Sequence, residues 1–172
     1  GLYVSGVIEP GLTVLQSEHH ISLNHCRRLA TGSILIPSDR TEAWAKGIYL
    51  GFKGEVFEAT HILVPQVENW LRWLLQSSGY DTIVREKDGT DVQMSMETLL
   101  AHPAMKDMLI EGLWYELSYL FLDTHGANLR NSLLHGLLAD DEINTSHLYS
   151  FWHLCFRVVM LSQQLEHEPI DS

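Results

Sequence analysis

Apolar residues recur every three to four positions over most of this chain, the period of a helix buried along one face. The longest such stretch is EVFEATHILVPQVENWLRWLLQSS, residues 55–78, where Ala59, Ile62, Leu63, Val67, Trp70, Leu71, Leu74 and Leu75 form one broad stripe. Pro65 interrupts it. A residue without an N–H removes one backbone hydrogen bond, which predicts a kink or a split there. IPSDRTEAWAKGIYLGF, residues 36–52, starts another helix, with Trp44, Ile48 and Gly51–Phe52 in register and Gly54 as its stop. Asp39 followed by Glu42 has capping-box spacing, in which each side chain satisfies an orphan amide at the helix start. A shorter helix is predicted from Ser17 or Glu18 to about Thr31, ended by Gly32. EGLWYELSYLFL (111–122) reads as a strongly apolar, central helix. NLRNSLLHGLL (128–138) reads as the next, with Gly126 and Asn128 suited to its start. The last, 146–162, turns Leu148, Phe151, Trp152, Cys155, Val158 and Val159 inward.

Five segments break the period. DTIVREKDGTDVQMS (81–95) places Asp88-Gly89 between two short β-branched runs, which predicts a hairpin over 82–95. Residues 96–110 divide into one or two short helices around Pro103, and Asp140–Glu142 form an acidic loop. Residues 1–16, rich in glycine and holding Pro10, read as a loose lead-in or linker, and 166–172 as a frayed tail. The expected fold is all-α: one helical bundle over 17–165 with a single inserted β-hairpin.

Composition narrows the function classes. The 172 residues suffice for a domain with a proper core, and five tryptophans supply large buried surfaces. The formal net charge of −11 repels phosphate at long range, so general coating of nucleic acid is excluded. RNA is then bound only where a few cations are concentrated. Cys26 and Cys155 lie far apart and form no metal-like pair, which suggests buried thiols in a reducing, cytoplasmic setting. No apolar run approaches the roughly 20 residues of a membrane span, and no signal peptide is visible. The opening GLYVSGVIEPGLTV has no methionine, which suits a piece of a longer protein. Ten histidines raise the question of a metal. His19-His20-His25 and His147-His153 match no zinc-site spacing with acidic partners, so neither metal nor cofactor is expected.

The chemistry concentrates in GANLRNSLLHGLL, residues 126–138. On a helix Asn131 and His135, four apart, share a face, and the long Arg130 side chain reaches the same side. Near the N-terminal half of a helix the dipole favours an anion as well. A guanidinium fork and amide donors hold a phosphate, and a histidine moves a proton beside it. Those are the needs of metal-independent RNA cleavage, in which the ribose 2′-hydroxyl attacks the adjacent phosphate. The plainer reading is a helix with a satisfied histidine and a surface arginine. Glu68 and Arg72, also four apart, read either as a solvated ion pair or as contributors to the same cavity. His125 reads as a loop residue or a substrate contact, and Asn128 as part of the cleft. Trp70 and Trp73 read as core rather than as a base-stacking platform.

Arg130-Asn131-Ser132-Leu133-Leu134-His135 resembles the Arg-X(4–6)-His motif of the HEPN superfamily (higher eukaryotes and prokaryotes nucleotide-binding domains). With LVPQVE and the following LR earlier in the chain, the order of motifs resembles a particular member family. It is one of unknown function, whose domain also occurs in the endoplasmic reticulum membrane-associated RNA degradation protein. The similarity spans roughly residues 20–165. It implies a helical bundle and a metal-independent endoribonuclease, often a toxin or antiphage effector, that works as a homodimer with a composite active site. Arg130, Asn131 and His135 carry over as catalytic residues; Glu68 and Arg72 match a recurring pattern with no assigned role. The alternatives are a non-catalytic HEPN module that binds a nucleotide or partner protein, and a helical dimerisation domain. Geometry separates them: an enzyme presents Arg130 and His135 to solvent, and a structural module buries them in internal hydrogen bonds.

Overall fold

The computed structural model describes residues 3–122, 129–139 and 145–165. The chain is mostly helical, and among the described residues its only strands form one two-stranded antiparallel sheet. It divides into two compact units, one from Gly1–Gln66 with Leu138–Ser172 and the other from Val67–Leu137.

The first unit begins with a π-helical turn (Val4–Ile8) that runs into α1 (Glu9–Glu18). This replaces the loose lead-in expected for residues 1–16. Val4, Ile8 and Leu12 fall four apart and are all buried, with the π-helical turn packed on the last helix, so burial outweighs the weak helix propensity of the glycines. The predicted start at Ser17 or Glu18 is therefore the end of α1. The next helix, α2 (Leu23–Thr31), starts at Ser22, whose side chain accepts from the His25 amide while the His25 imidazole accepts from the Ser22 amide. That reciprocal pair stands at α2, and the one expected from Asp39 and Glu42 at α3 (Thr41–Phe52) does not form. Glu42 instead accepts from Arg27 Nε on both carboxylate oxygens at 2.9 Å.

Helix α4 (Val56–Ser77) is continuous through Pro65, so of the kink or split expected there the split does not occur. The proline is exposed, so the carbonyl that loses its amide partner lies on the solvent side, where water satisfies it cheaply. Helix α9 (Ser146–Leu165) closes the first unit and buries all six residues assigned inward from its sequence.

The second unit takes α4 from Val67 onward, then β1 (Ile83–Arg85) and β2 (Asp91–Gln93), paired Ile83↔Gln93, Val84↔Val92 and Arg85↔Asp91. Gly89 takes φ +88° in the turn, and Asp88 Oδ1 accepts from the Thr90 amide at 2.9 Å. The short helices α5 (Met96–Ala101) and α6 (Pro103–Met108) flank His102. Helix α7 (Glu111–Phe121) packs on α5, α6 and α8 (Leu129–Leu134). It is thus the hub of this unit, and Trp114 Nε1 donates to the Leu100 carbonyl to fix its register on α5. No helix among the described residues is long and apolar enough to cross a membrane.

Candidate active site

The motif helix α8 is six residues long, shorter than the 128–138 segment expected. Its end is set by Gly136, whose φ of +60° a side chain rarely tolerates. The Gly136 amide donates to the Leu133 carbonyl at 3.3 Å and the Leu137 amide to the Ser132 carbonyl at 2.8 Å. This is the Schellman arrangement, with Gly136 just past the helix and His135 as its cap. The placement corrects the electrostatic expectation. Arg130 stands in the first turn, but His135 lies at the opposite, carbonyl-rich end of a helix about 9 Å long, so the motif does not gather at a positive helix terminus.

Leu129 is buried and anchors the start of α8. Arg130, next to it, is turned into a network of charges. Its Nε donates to Glu68 Oε2 at 3.2 Å, and its Nη1 lies 3.7 Å from Glu97 Oε1. The other Glu68 oxygen accepts from Arg72 Nη2 at 3.1 Å, and that same nitrogen donates to the Met94 carbonyl at 3.0 Å. Glu68 and Arg72 are only 22 % and 17 % exposed, so theirs is not a solvated surface pair. The structure thus joins Glu68, Arg72 and Arg130, which are separated by up to 62 positions in the chain.

Asn131 and His135 are exposed, and neither side chain makes a hydrogen bond among the described residues. They stand one turn apart, as their spacing requires. His125 and Asn128 lie outside the described residues.

Sequence reasoning missed Glu97. It sits in the first turn of α5, whose N-cap Ser95 accepts from the Thr98 amide. Partial burial by itself raises its carboxyl, but hydrogen bonds from the Ser95 side chain and its own amide, with the Arg130 charge, outweigh that. The net shift is below the ordinary Glu value. SMET (95–98) carries a recognisable helix start, but nothing in it announces a partner 33 residues away.

The remaining histidine clusters separate by role. His25 caps α2, while His19 and His20 line a pocket of about 480 Å³ with Tyr49 and Lys53. His153 packs edge-on against Tyr3, with ring centroids 6.0 Å apart. No three His, Cys, Asp or Glu side chains among the described residues gather as a metal site. Both cysteines are buried free thiols; burial pushes Cys26 up to about 11 and Cys155 well above its ordinary value.

Compared with protein-family models, with curated proteins and with solved structures, the chain matches none.

Proposed function

We propose that the α8 site is that of a metal-independent endoribonuclease, of the kind the HEPN-like motif implies, acting in a reducing cytoplasm. The observation that carries it is an asymmetry within one short helix. Arg130 is fixed from one side by Glu68, while Asn131 next to it and His135 at the far end of α8 stand exposed, with no side-chain hydrogen bond among the described residues. A guanidinium oriented through Nε leaves its Nη groups for the non-bridging oxygens of a phosphodiester, with Glu97 Oε1, 3.7 Å from Nη1, as the competitor. Among the described residues the imidazole has no competing partner, so it is available to the ribose.

The reaction is a transesterification. The 2′-oxygen attacks phosphorus, the P–O5′ bond breaks, and the products are a 2′,3′-cyclic phosphate and a 5′-hydroxyl. The 2′-hydroxyl proton goes to an imidazole and the departing 5′-oxygen takes one from an imidazolium. Arg130 neutralises the charge that builds on phosphorus, and Asn131 orients the phosphate or the histidine. Among the described residues, one copy of the chain offers one such imidazole at the motif. A homodimer that faces two α8 helices supplies both the acid and the base, and doubles the cationic density of an acidic protein.

A specific observation favours a second reading. Arg130 bonds Glu68 and approaches Glu97, so it also ties α8 to α4 and α5, as a purely structural module requires. His135→Ala separates the two. Loss of one general acid or base costs about 10²–10⁴ in rate, and an exposed, unbonded side chain contributes little to stability. The ribonuclease reading expects cleavage in EDTA, cyclic-phosphate products, and a variant that is inactive with an unchanged melting temperature. Wild-type protein that never cuts RNA leaves a non-catalytic module, whether ligand-binding or purely structural.

A further inference from the structure

The two carboxylates that face Arg130 are held differently. Glu68 is 22 % exposed, accepts a 3.2 Å hydrogen bond from Nε, and is itself secured by Arg72. Glu97 is 51 % exposed and stands 3.7 Å from Nη1, too far for a hydrogen bond. It also has a place of its own. In the first turn of α5 it is stabilised by the Ser95 hydroxyl, its own amide and the positive end of the helix. Leaving Arg130 therefore does not strand a buried charge. Phosphate recognition by arginine works best when two adjacent N–H groups take two oxygens. With Nε occupied by Glu68, the pair left to a phosphate is Nη1 with Nη2, and Glu97 stands over half of it.

We propose that Glu97 is an acidic gate on the Arg130 anion site, a displaceable competitor that sets the affinity for the substrate phosphate, while Glu68 is the fixed anchor. This rests on the reading of Arg130 as a phosphate-binding group. The gate makes the site selective. A free monoanion meets a carboxylate of like charge, whereas a polynucleotide with contacts elsewhere on the protein can displace it. Glu97 is a specificity-determining residue and takes no part in proton transfer.

The test is a titration with inorganic phosphate, following the backbone amide resonances of α8 by NMR in wild-type protein, Glu97→Gln and Glu97→Asp. Removing one charge about 4 Å from the site, partly screened by water, is expected to tighten phosphate binding about three- to tenfold. Glu97→Asp, which keeps the charge but draws it back, should fall between. Asp107→Asn, an exposed carboxylate on α6, controls for general charge and should change binding less than twofold. Adding Arg130→Gln to Glu97→Gln should erase the gain. Affinity in Glu97→Gln within twofold of wild type, or an equal gain from Asp107→Asn, overturns the gate, as does phosphate binding too weak to detect in every variant. RNA cleavage by the same proteins separates this from the ribonuclease reading. A gain in phosphate affinity that needs Arg130, with no cleavage by any protein, keeps the gate and removes the nuclease. Cleavage by wild type with unchanged phosphate affinity in Glu97→Gln does the reverse.

Discussion

The first unit is held by close steric fit, and the part of the second around α8 is held by charge. In the first, Gly51 lets the Trp152 indole lie against the backbone of α3, where Trp152 Nε1 donates to the Ile48 carbonyl at 3.1 Å. A Cβ at position 51 would stand 1.9 Å from that nitrogen. Phe52 meets Trp152 and Phe156 edge-on, with centroids 5.1 and 5.2 Å away. In the second, Arg72, Glu68, Arg130 and Glu97 link α4, α5 and α8 through contacts of 3.1, 3.2 and 3.7 Å. A steric fit has one good arrangement and fails if a single carbon is added. A chain of partly exposed ion pairs has several arrangements of similar free energy. A binding site needs the second kind, because its ligand must be able to replace a partner.

The sharpest way to break the first arrangement is Gly51→Ala. The indole is rigid and cannot yield to the new methyl group, so the Trp152–Ile48 hydrogen bond is lost as well. About 3 kcal/mol of destabilisation is expected, read from urea unfolding. Gly47→Ala is the internal control. The atoms its Cβ meets, at 2.4–3.0 Å, are Leu63 Cγ and its two methyl carbons, which can turn about χ1 where the Trp152 ring cannot, and no hydrogen bond is lost, so the cost should be smaller though still unfavourable.

The same division explains how far the sequence could be read. The fold was legible where one periodic stripe spans a whole element, as in α4, α7 and α9. Asp88-Gly89 announced the hairpin through its turn chemistry. The lead-in hid its helix because Gly6, Pro10 and Gly11 mask the four-residue spacing of Val4, Ile8 and Leu12. Within the candidate site, Glu68 and Arg72 were visible because four residues on one helix fix their distance. Glu97 was not, because its approach to Arg130 depends on where separate helices pack. The electrostatic reading of α8 failed for a related reason. Its length is set by a positive-φ glycine that the leucine-rich period runs straight through.

Alkaline pH should act on the first unit. Burial raises the Cys26 thiol from its ordinary value of about 9 to about 11, and it shifts Cys155 in the same direction. A raised folded value means that the unfolded chain loses its protons first. The stability is fully present below about pH 9 and is lost as pH rises through 11. For Cys26 this amounts to about 2 kcal/mol at pH 11. Between pH 8 and 11 the unfolding free energy of wild type should therefore fall by about 2 kcal/mol relative to Cys26→Ala, whatever their offset at neutral pH.

Charge neutralisation should act on the second unit. Glu68→Gln leaves two partly buried guanidinium groups side by side with no carboxylate between them. About 1–2 kcal/mol of destabilisation is expected, and it should shrink as salt screens the repulsion. Gly51→Ala, which changes no charge, should show no such salt dependence. If both variants respond to salt alike, the contrast between the two regions is lost.

The smallest effect expected is that of Glu97 at acid pH. Its net shift is downward, so the unfolded chain takes up the proton first as pH falls. The stability is present above the ordinary Glu value of 4.5 and is lost as pH drops through the lower, folded value. The side chain is half exposed, so solvent screening leaves only a few tenths of a kcal/mol. The prediction is accordingly one of shape. Glu97→Gln should melt slightly below wild type at neutral pH, the two should coincide once Glu97 is protonated in both states, and Cys26→Ala should show no change over that interval. A gap between wild type and Glu97→Gln that persists into strong acid would mean that Glu97 supports α5 through packing rather than charge. It would then be too firmly placed to move aside for a phosphate.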